Sequence, residues 1–243
     1  MTKKQTTRGG QRQRLLDVTR EDILSAARKV LAKDGPEGLS VVQVASLAGV
    51  NRGTAYQHFA DRDSLLQATI ESVSKGLIEA VWPPSQAARG KPGIPFDDAS
   101  LEGTALRLAA FTAENTTFSR IWLFELLSSD KPGGDPFSRA WIDVVSAFCK
   151  SDDAVPGIDG EIYAIISLIA YLALPVWMHS EHASSSEREA IGTRIAREIL
   201  RLAMYGVMKS DRFPAVATWV AENGRAEDTK NDMRSSRQKK TKK

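Results

Sequence analysis

The stretch from Ser40 to Phe59, SVVQVASLAGVNRGTAYQHF, restricts the fold more than any other part of the chain. Val41, Val44, Ala45, Leu47 and Ala48 recur at helical spacing, which predicts a short helix with one apolar side. Gly49 follows, where a chain leaving a helix needs a left-handed residue. Asn51 is placed to cap a second helix by accepting from orphan amides of its first turn. That helix, 51–59, carries Arg52, Thr54, Tyr56, Gln57 and His58, all able to donate to phosphates or base edges. Ala55 and Phe59 are left to face inward. A donor-bearing helix propped on a smaller apolar one is the layout of a helix-turn-helix that reads DNA.

The rest of the chain reads as helices and loops, with no strand pattern, repeat or heptad run. Residues 1–18 are polar and lack sustained periodicity, so a disordered basic arm is expected. Thr19 is the expected cap of a helix whose apolar residues are Ile23, Ala26, Ala27, Val30 and Leu31. Asp34-Gly35-Pro36 ends it, and Ser40 is the expected cap of the next helix. A longer helix, 63–81, carries Leu65, Leu66, Ile70, Val73, Leu77, Ile78 and Val81, and Pro83-Pro84 stops it. Its length predicts a strut continuing from the small head into a larger body. Two helices with a break near Asn115, a helix over 137–150 and a Pro156-Gly157 loop come next.

The segment 162–178 holds no charge. It is at the short limit for a membrane span, Asp159 and Glu161 precede it, and no Lys/Arg cluster flanks it. A buried helix is therefore preferred, with Ala164, Ser167, Ala170 and Ala173 allowing close approach of a neighbour. The last helix, 185–209, places Ile191, Ile195, Ile199, Leu202 and Gly206 on one face. Residues 159–180 and 185–209 are expected to pair as a hairpin, and two such hairpins to form a four-helix homodimer interface. The fold class is all-α. A helix-turn-helix head over 19–64 precedes a helical body over 65–209 and a flexible basic tail over 210–243.

Charge separates these parts. Net charge is +5 over 1–20, −1 over 21–64, −6 over 65–224 and +5 over 225–243. Basic arms favour a polyanion and an acidic body does not. Charged tails are also simply solvated in many proteins, and the 40–59 stretch tips the reading toward DNA. An architectural DNA binder, using the arms for broad affinity without an effector, is the competing reading. The basic start is not followed by an apolar segment, so no secretory signal is read there. The single cysteine, Cys149, forms no internal disulfide and suits a reducing compartment. It sits in an apolar helix, so a core thiol is preferred to a redox switch. His179 and His182, with Glu181, have an i, i+3 relation open to a metal, but a solvated helix end suits them better. No nucleophile elbow, phosphate loop, zinc spacing or dinucleotide fingerprint is present, so neither an enzyme nor a cofactor is expected.

Residues 19–66 resemble the N-terminal DNA-binding domain of TetR-type transcriptional regulators. The match runs through Ser-Val-x-x-Val-Ala-x-x-Ala-Gly-Val at 40–50, Asn-x-Gly-Thr-x-Tyr-x-His-Phe at 51–59, then Arg62 and Leu65. Asn51 stands where members commonly have Ser, Arg62 where they commonly have Lys, and Ala55 where a larger apolar residue is usual. The body resembles the family only in helix count and length. The resemblance implies a cytoplasmic, nucleoid-associated regulator that binds double-stranded DNA as a dimer and answers to a small-molecule effector. It also implies backbone contacts by Thr54, Tyr56 and His58. By their chemistry, Ser40, Asn51 and Arg62 join them at phosphates, and Gly53 lets the helix come close. Arg52 and Gln57, with Gln43 and Val42, are the candidate base readers, since Arg suits guanine and Gln suits adenine. Singly, Tyr56, His58 and Arg52 also read as ordinary residues of a small head; the ordered set favours DNA. Phe118, Trp122, Trp141, Tyr163 and Tyr171 are candidates to line an effector pocket, with Glu125 as an acid facing a cationic ligand. For each, a packed core or solvated position is the plain alternative.

Overall fold

The computed structural model describes residues 5–83, 98–180 and 182–222, with side chains over 19–83, 100–180 and 182–222. Among the described residues there is no strand, only an antiparallel bridge between Ala154 and Met208. The helices are α1 (Gln5–Asp34), α2 (Val41–Leu47), α3 (Arg52–His58), α4 (Arg62–Val81) and α5 (Asp98–Glu114). They continue as α6 (Thr116–Ser128), α7 (Pro136–Cys149), α8 (Gly160–Trp177), α9 (Ser185–Gly206) and α10 (214–222). Two compact units result. The first holds Met1–Leu77 and Asn115–Phe137, the second Ile78–Glu114 and Ser138–Lys243. One boundary between the units falls between Leu77 and Ile78, within α4.

Two boundaries differ from the sequence reading. Residues 5–18 are helical and continuous with α1, so Thr19 lies inside a helix and caps nothing. Helix formation is cooperative, and a nucleus already fixed by the packed turns from Ile23 onward extends one residue at a time through Gln and Arg. At the other end, Phe213, Val216 and Val220 are buried, so the body runs on through 222. Their spacing of three and four gives α10 an inward face that a basic-tail reading overlooks. The rest of the expected tail, and residues 1–4 of the expected arm, lie outside the described residues.

In the first unit, α1, α2, α3 and the start of α4 close around one cluster. Ile23, Ala27, Val44, Ala55 and Leu65 are completely buried within it. Helix α6 packs against α1 in the same unit. The Arg28 guanidinium donates to Ser72 Oγ at 3.1 Å and to Glu21 Oε1 at 2.7 Å. It also lies over the Phe118 ring at 5.6 Å, so one cation joins α1, α4 and α6. Gly76 makes the α4–α6 approach possible, because a Cβ there would lie 2.7 Å from Phe118 Cε1.

In the second unit α9 packs most extensively on α5, and less on α8. A simple α8–α9 hairpin is thus only part of the arrangement. Gly192 explains the preference: a Cβ there would meet the carbonyl oxygen of Ala109 at 3.1 Å, so α9 and α5 touch backbone to backbone. Asp159 caps α8 by accepting from the amides of Glu161 and Ile162, each at 3.1 Å. Ser184 and Glu187 form a reciprocal capping box on α9.

Helix α8 is long and apolar enough to cross a membrane, and a third of its residues are buried within the chain. The all-round burial read from the sequence does not hold. Ile162, Ile166 and Trp177 are 53%, 60% and 88% exposed, and on α9 Leu202 and Tyr205 are exposed as well. Leu202 thus leaves the inward face that its spacing suggested. Ala164 and Ser167 face the core together with Leu168, Tyr171 and Leu172, whereas Ile162, Ile166 and Trp177 face out.

Candidate nucleic-acid interface

Helix α3 is held from below and capped from the front. Ala55 is fully buried and Phe59 nearly so, which fixes the inner side of the helix. The Arg20 guanidinium lies over the Phe59 ring at 5.3 Å and secures it from α1. At the front, Asn51 Oδ1 accepts from the Thr54 amide at 2.8 Å and from the Thr54 hydroxyl at 3.1 Å. Gly49, at a φ of 69°, makes the turn between α2 and α3. A Cβ on Gly53 would come within 3.3 Å of the capping oxygen of Asn51, so glycine also protects the cap.

The outward side carries Arg52, Gly53, Tyr56 and Gln57, all exposed. They form two adjacent i, i+4 columns opposite Ala55, so they share one face. That face offers a guanidinium, a phenol and a carboxamide, with an opening at Gly53. A guanidinium and a carboxamide are the two side-chain groups best matched to purine edges in a major groove. On α2, Gln43 is exposed and Val42 half-buried beside this face's supporting helix.

Other sequence candidates sit differently. Ser40 is the N-cap of α2 by position, but its hydroxyl makes no capping hydrogen bond. The extended backbone at Ser40 supplies the first carbonyl to Val44 instead, at 2.9 Å. The Thr54 hydroxyl donates to Asn51 and not outward. His58 is half-buried against Phe59, and its Nε2 is enclosed without a partner, so that nitrogen does not face solvent. Arg62 is fastened to the turn after α1: Nη2 donates to the Pro36 carbonyl at 2.7 Å, and Nη1 meets Asp63 at 3.3 Å. Its first role is to lock the 36–38 turn against the start of α4, adding a charged donor to a carbonyl that also accepts from the Leu39 amide at 3.1 Å. Arg20 and Arg28 were missed in the sequence; an arginine on an otherwise apolar helix face is the signal that could have found them.

The six candidates for an effector pocket do not come together. Phe118, Trp122 and Glu125 belong to the first unit, where Trp122 is buried and Phe118 packs on Arg28 and Gly76. Glu125 lines a surface groove with Glu37, Arg62 and Gln67, not an apolar cavity. Trp141, Tyr163 and Tyr171 belong to the second unit and do line a common cavity. Trp177 is exposed at the end of α8. Sequence spacing shows which helix face a residue occupies, but not which helices meet.

Cys149 is half-buried, and burial, then the charge of Asp159, pushes its thiol above the usual range. It is therefore a poor nucleophile. His179 and His182 are exposed beyond α8, and Glu181 lies outside the described residues. Among the described residues no cluster of three metal-ligating side chains is found.

Residues 23–69, which span α1 through the first turns of α4, match the family described as bacterial regulatory proteins, tetR family. Over that domain the chain is similar to TetR-family regulators. The regulator BetI of Stenotrophomonas maltophilia is 29% identical over 99 residues, which cover 37% of this chain and 50% of BetI. TtgR of Pseudomonas putida is 38% identical over 55 residues, or 23% of this chain and 26% of TtgR. The chain spans half the length or less of these curated relatives. Solved structures extend the likeness in fold. A gamma-butyrolactone receptor described as ArpA-like has a TM-score of 0.60 at 19% identity, covering 85% of this chain and 96% of the receptor. The ketosteroid transcriptional regulator KstR2 of Mycobacterium tuberculosis has a TM-score of 0.52 at 16% identity, covering 74% of this chain and 92% of KstR2. The fold is that of TetR-family regulators, with the helix-turn-helix ahead of a helical body.

Proposed function

We propose that the chain is a sequence-specific transcriptional repressor that binds a palindromic DNA operator as a homodimer and responds to a small molecule. The single observation that carries the DNA part is the outward face of α3. Arg52, Tyr56 and Gln57 project together from a helix whose cap and underside are both locked. Arg52 and Gln57 read bases, and Tyr56 positions the helix on a phosphate. Ser40, with its hydroxyl uncommitted to the cap, adds a second phosphate donor. The named relatives are transcriptional regulators, which supports this reading.

The exposed apolar stripe of α8 and the end of α9 support a dimer. Isolated apolar residues on a surface are ordinary, but a continuous row on one helix marks a covered face. Two copies joined there present two α3 helices to half-sites about one helical turn of DNA apart. An effector acts by favouring one spacing of those helices over another. Helix α4 is the covalent element through which a body-bound ligand biases the head. The site of action is the cytoplasm, at the nucleoid.

Selection from a pool of random duplexes tests the proposal. The wild-type protein is expected to enrich a two-fold symmetric site. Tyr56→Ala should weaken binding on all sequences alike, while Arg52→Ala should also change the preferred base. Enrichment of no sequence, or an unchanged preference in Arg52→Ala with uniform loss, counts against it.

A further inference from the structure

The second unit contains a cavity of about 70 Å³ walled by α5, α7, α8 and α9. Its lining includes Leu101, Trp141, Phe148, Tyr163, Tyr171 and Met208, and among the described residues no charged side chain reaches it. Most of its polar groups are satisfied from within. Trp141 Nε1 donates to Ser167 Oγ at 3.1 Å, and Ser167 Oγ donates to the Ala164 carbonyl at 2.9 Å. Thr104 Oγ1 accepts from Arg107 at 3.0 Å.

Two phenols also line the cavity. Tyr171 is 3% exposed and touches Trp141 edge to face, with ring centroids 5.7 Å apart. Tyr163 is half-buried, and neither its hydroxyl nor that of Tyr171 is among the enclosed, unpartnered polar atoms of the described residues. Burial raises both phenols, Tyr163 to about 12, so each stays a neutral O–H donor at ordinary pH. The cavity is thus an apolar chamber with two phenol donors and no charge.

We propose that this chamber binds a compact, uncharged, mostly apolar molecule with a carbonyl-type hydrogen-bond acceptor, which takes the hydroxyls of Tyr163 and Tyr171. The assignment rests on reading the body as the effector-sensing part of the chain. The absence of charge excludes carboxylates and ammonium ions, whose desolvation nothing in the wall would offset. The volume excludes drug-sized ligands, whose sites run to about 300–1,000 Å³.

The test uses the full chain and four rings of matched size: cyclohexanone, methylcyclohexane, cyclohexanecarboxylate and cyclohexylammonium. Thermal shift and titration calorimetry are run on wild type, Tyr163→Phe and Tyr171→Phe, with each variant's unliganded Tm as the check on folding. Cyclohexanone should bind at least about tenfold tighter than the other three. Each Tyr→Phe change should remove about that factor for cyclohexanone and leave methylcyclohexane unchanged. If one variant does not fold, the other carries the comparison. The assignment is overturned if a charged ring binds as well as the ketone, if methylcyclohexane matches it, if Tyr→Phe changes nothing, or if no ring binds. A mobility shift on the selected duplex and a random one separates the two levels. If the protein still discriminates DNA while the rings fail, the regulator stands and the chamber's assignment falls.

Discussion

At the scale of residues, side chains that hold helix ends set how the head presents α3. Asn51 is the clearest case, since its one oxygen serves both the amide and the hydroxyl of Thr54. Asn51→Ala should lower the head's stability by about 1 kcal/mol, and Asn51→Ser should recover most of it, as read by thermal denaturation. This cap, the inward Ala55 and the outward Arg52 and Gln57 were all legible in the sequence, because each follows from local rules about helix ends and faces. The commitment of Arg62 to Pro36 was not. It joins residues 26 apart in sequence, and only the closed turn shows that the guanidinium has a partner. Arg62→Ala should therefore cost stability as well as DNA affinity. Arg62→Lys should restore charge near the DNA but not the full stability, because an ammonium lacks the planar fork that serves Pro36 and Asp63 together. A Lys variant as stable as wild type would show that charge alone suffices there.

At the scale of elements, glycines set which helices touch. Gly76→Ala places a methyl 2.7 Å from the Phe118 ring, and the ring edge is held by its own packing on Arg28. It should destabilise the chain by about 1–3 kcal/mol, and Phe118→Leu in the same chain should return part of the loss in chemical denaturation. Gly192→Ala meets backbone of α5, which cannot rotate away, so no single side-chain change should rescue it. Periodicity located α4 and the Asn115 break correctly, since both are written in runs of ten residues or more. It could not pair α9 with α5, nor divide the aromatic residues between two units. Those depend on contacts among distant segments, where the sequence offers only a glycine and no statement of its partner. It also misread α8: a helix without charge looks buried all round, whereas Ile162, Ile166 and Trp177 form an uncovered face.

At the scale of the whole molecule, association and pH response follow from that uncovered face and from buried phenols. A double change, Ile166→Glu with Trp177→Glu, should shift sedimentation toward a monomer and weaken operator binding. A variant that remained dimeric would place the interface elsewhere. Stability should begin to fall as pH passes about 8.5, the ordinary cysteine value, because the Cys149 thiol is raised, and fall further once pH passes about 10, the ordinary tyrosine value. Above it the unfolded chain releases protons that folded Tyr163, with its phenol near 12, and Tyr171 retain, so the slope of unfolding free energy against pH is negative. Denaturant midpoints from pH 8 to 11.5 would show it, and Tyr163→Phe with Tyr171→Phe should flatten the fall. The head itself is nearly neutral, at −1 over residues 21–64, so sequence recognition has to come from placed contacts on α3 and not from a basic surface. The most direct test is a titration of the full chain with its selected duplex and with random duplex at one fixed salt concentration. The account predicts at least about a thousandfold preference for the selected site. Equal affinity for the two would contradict it and leave only an architectural role for the basic ends.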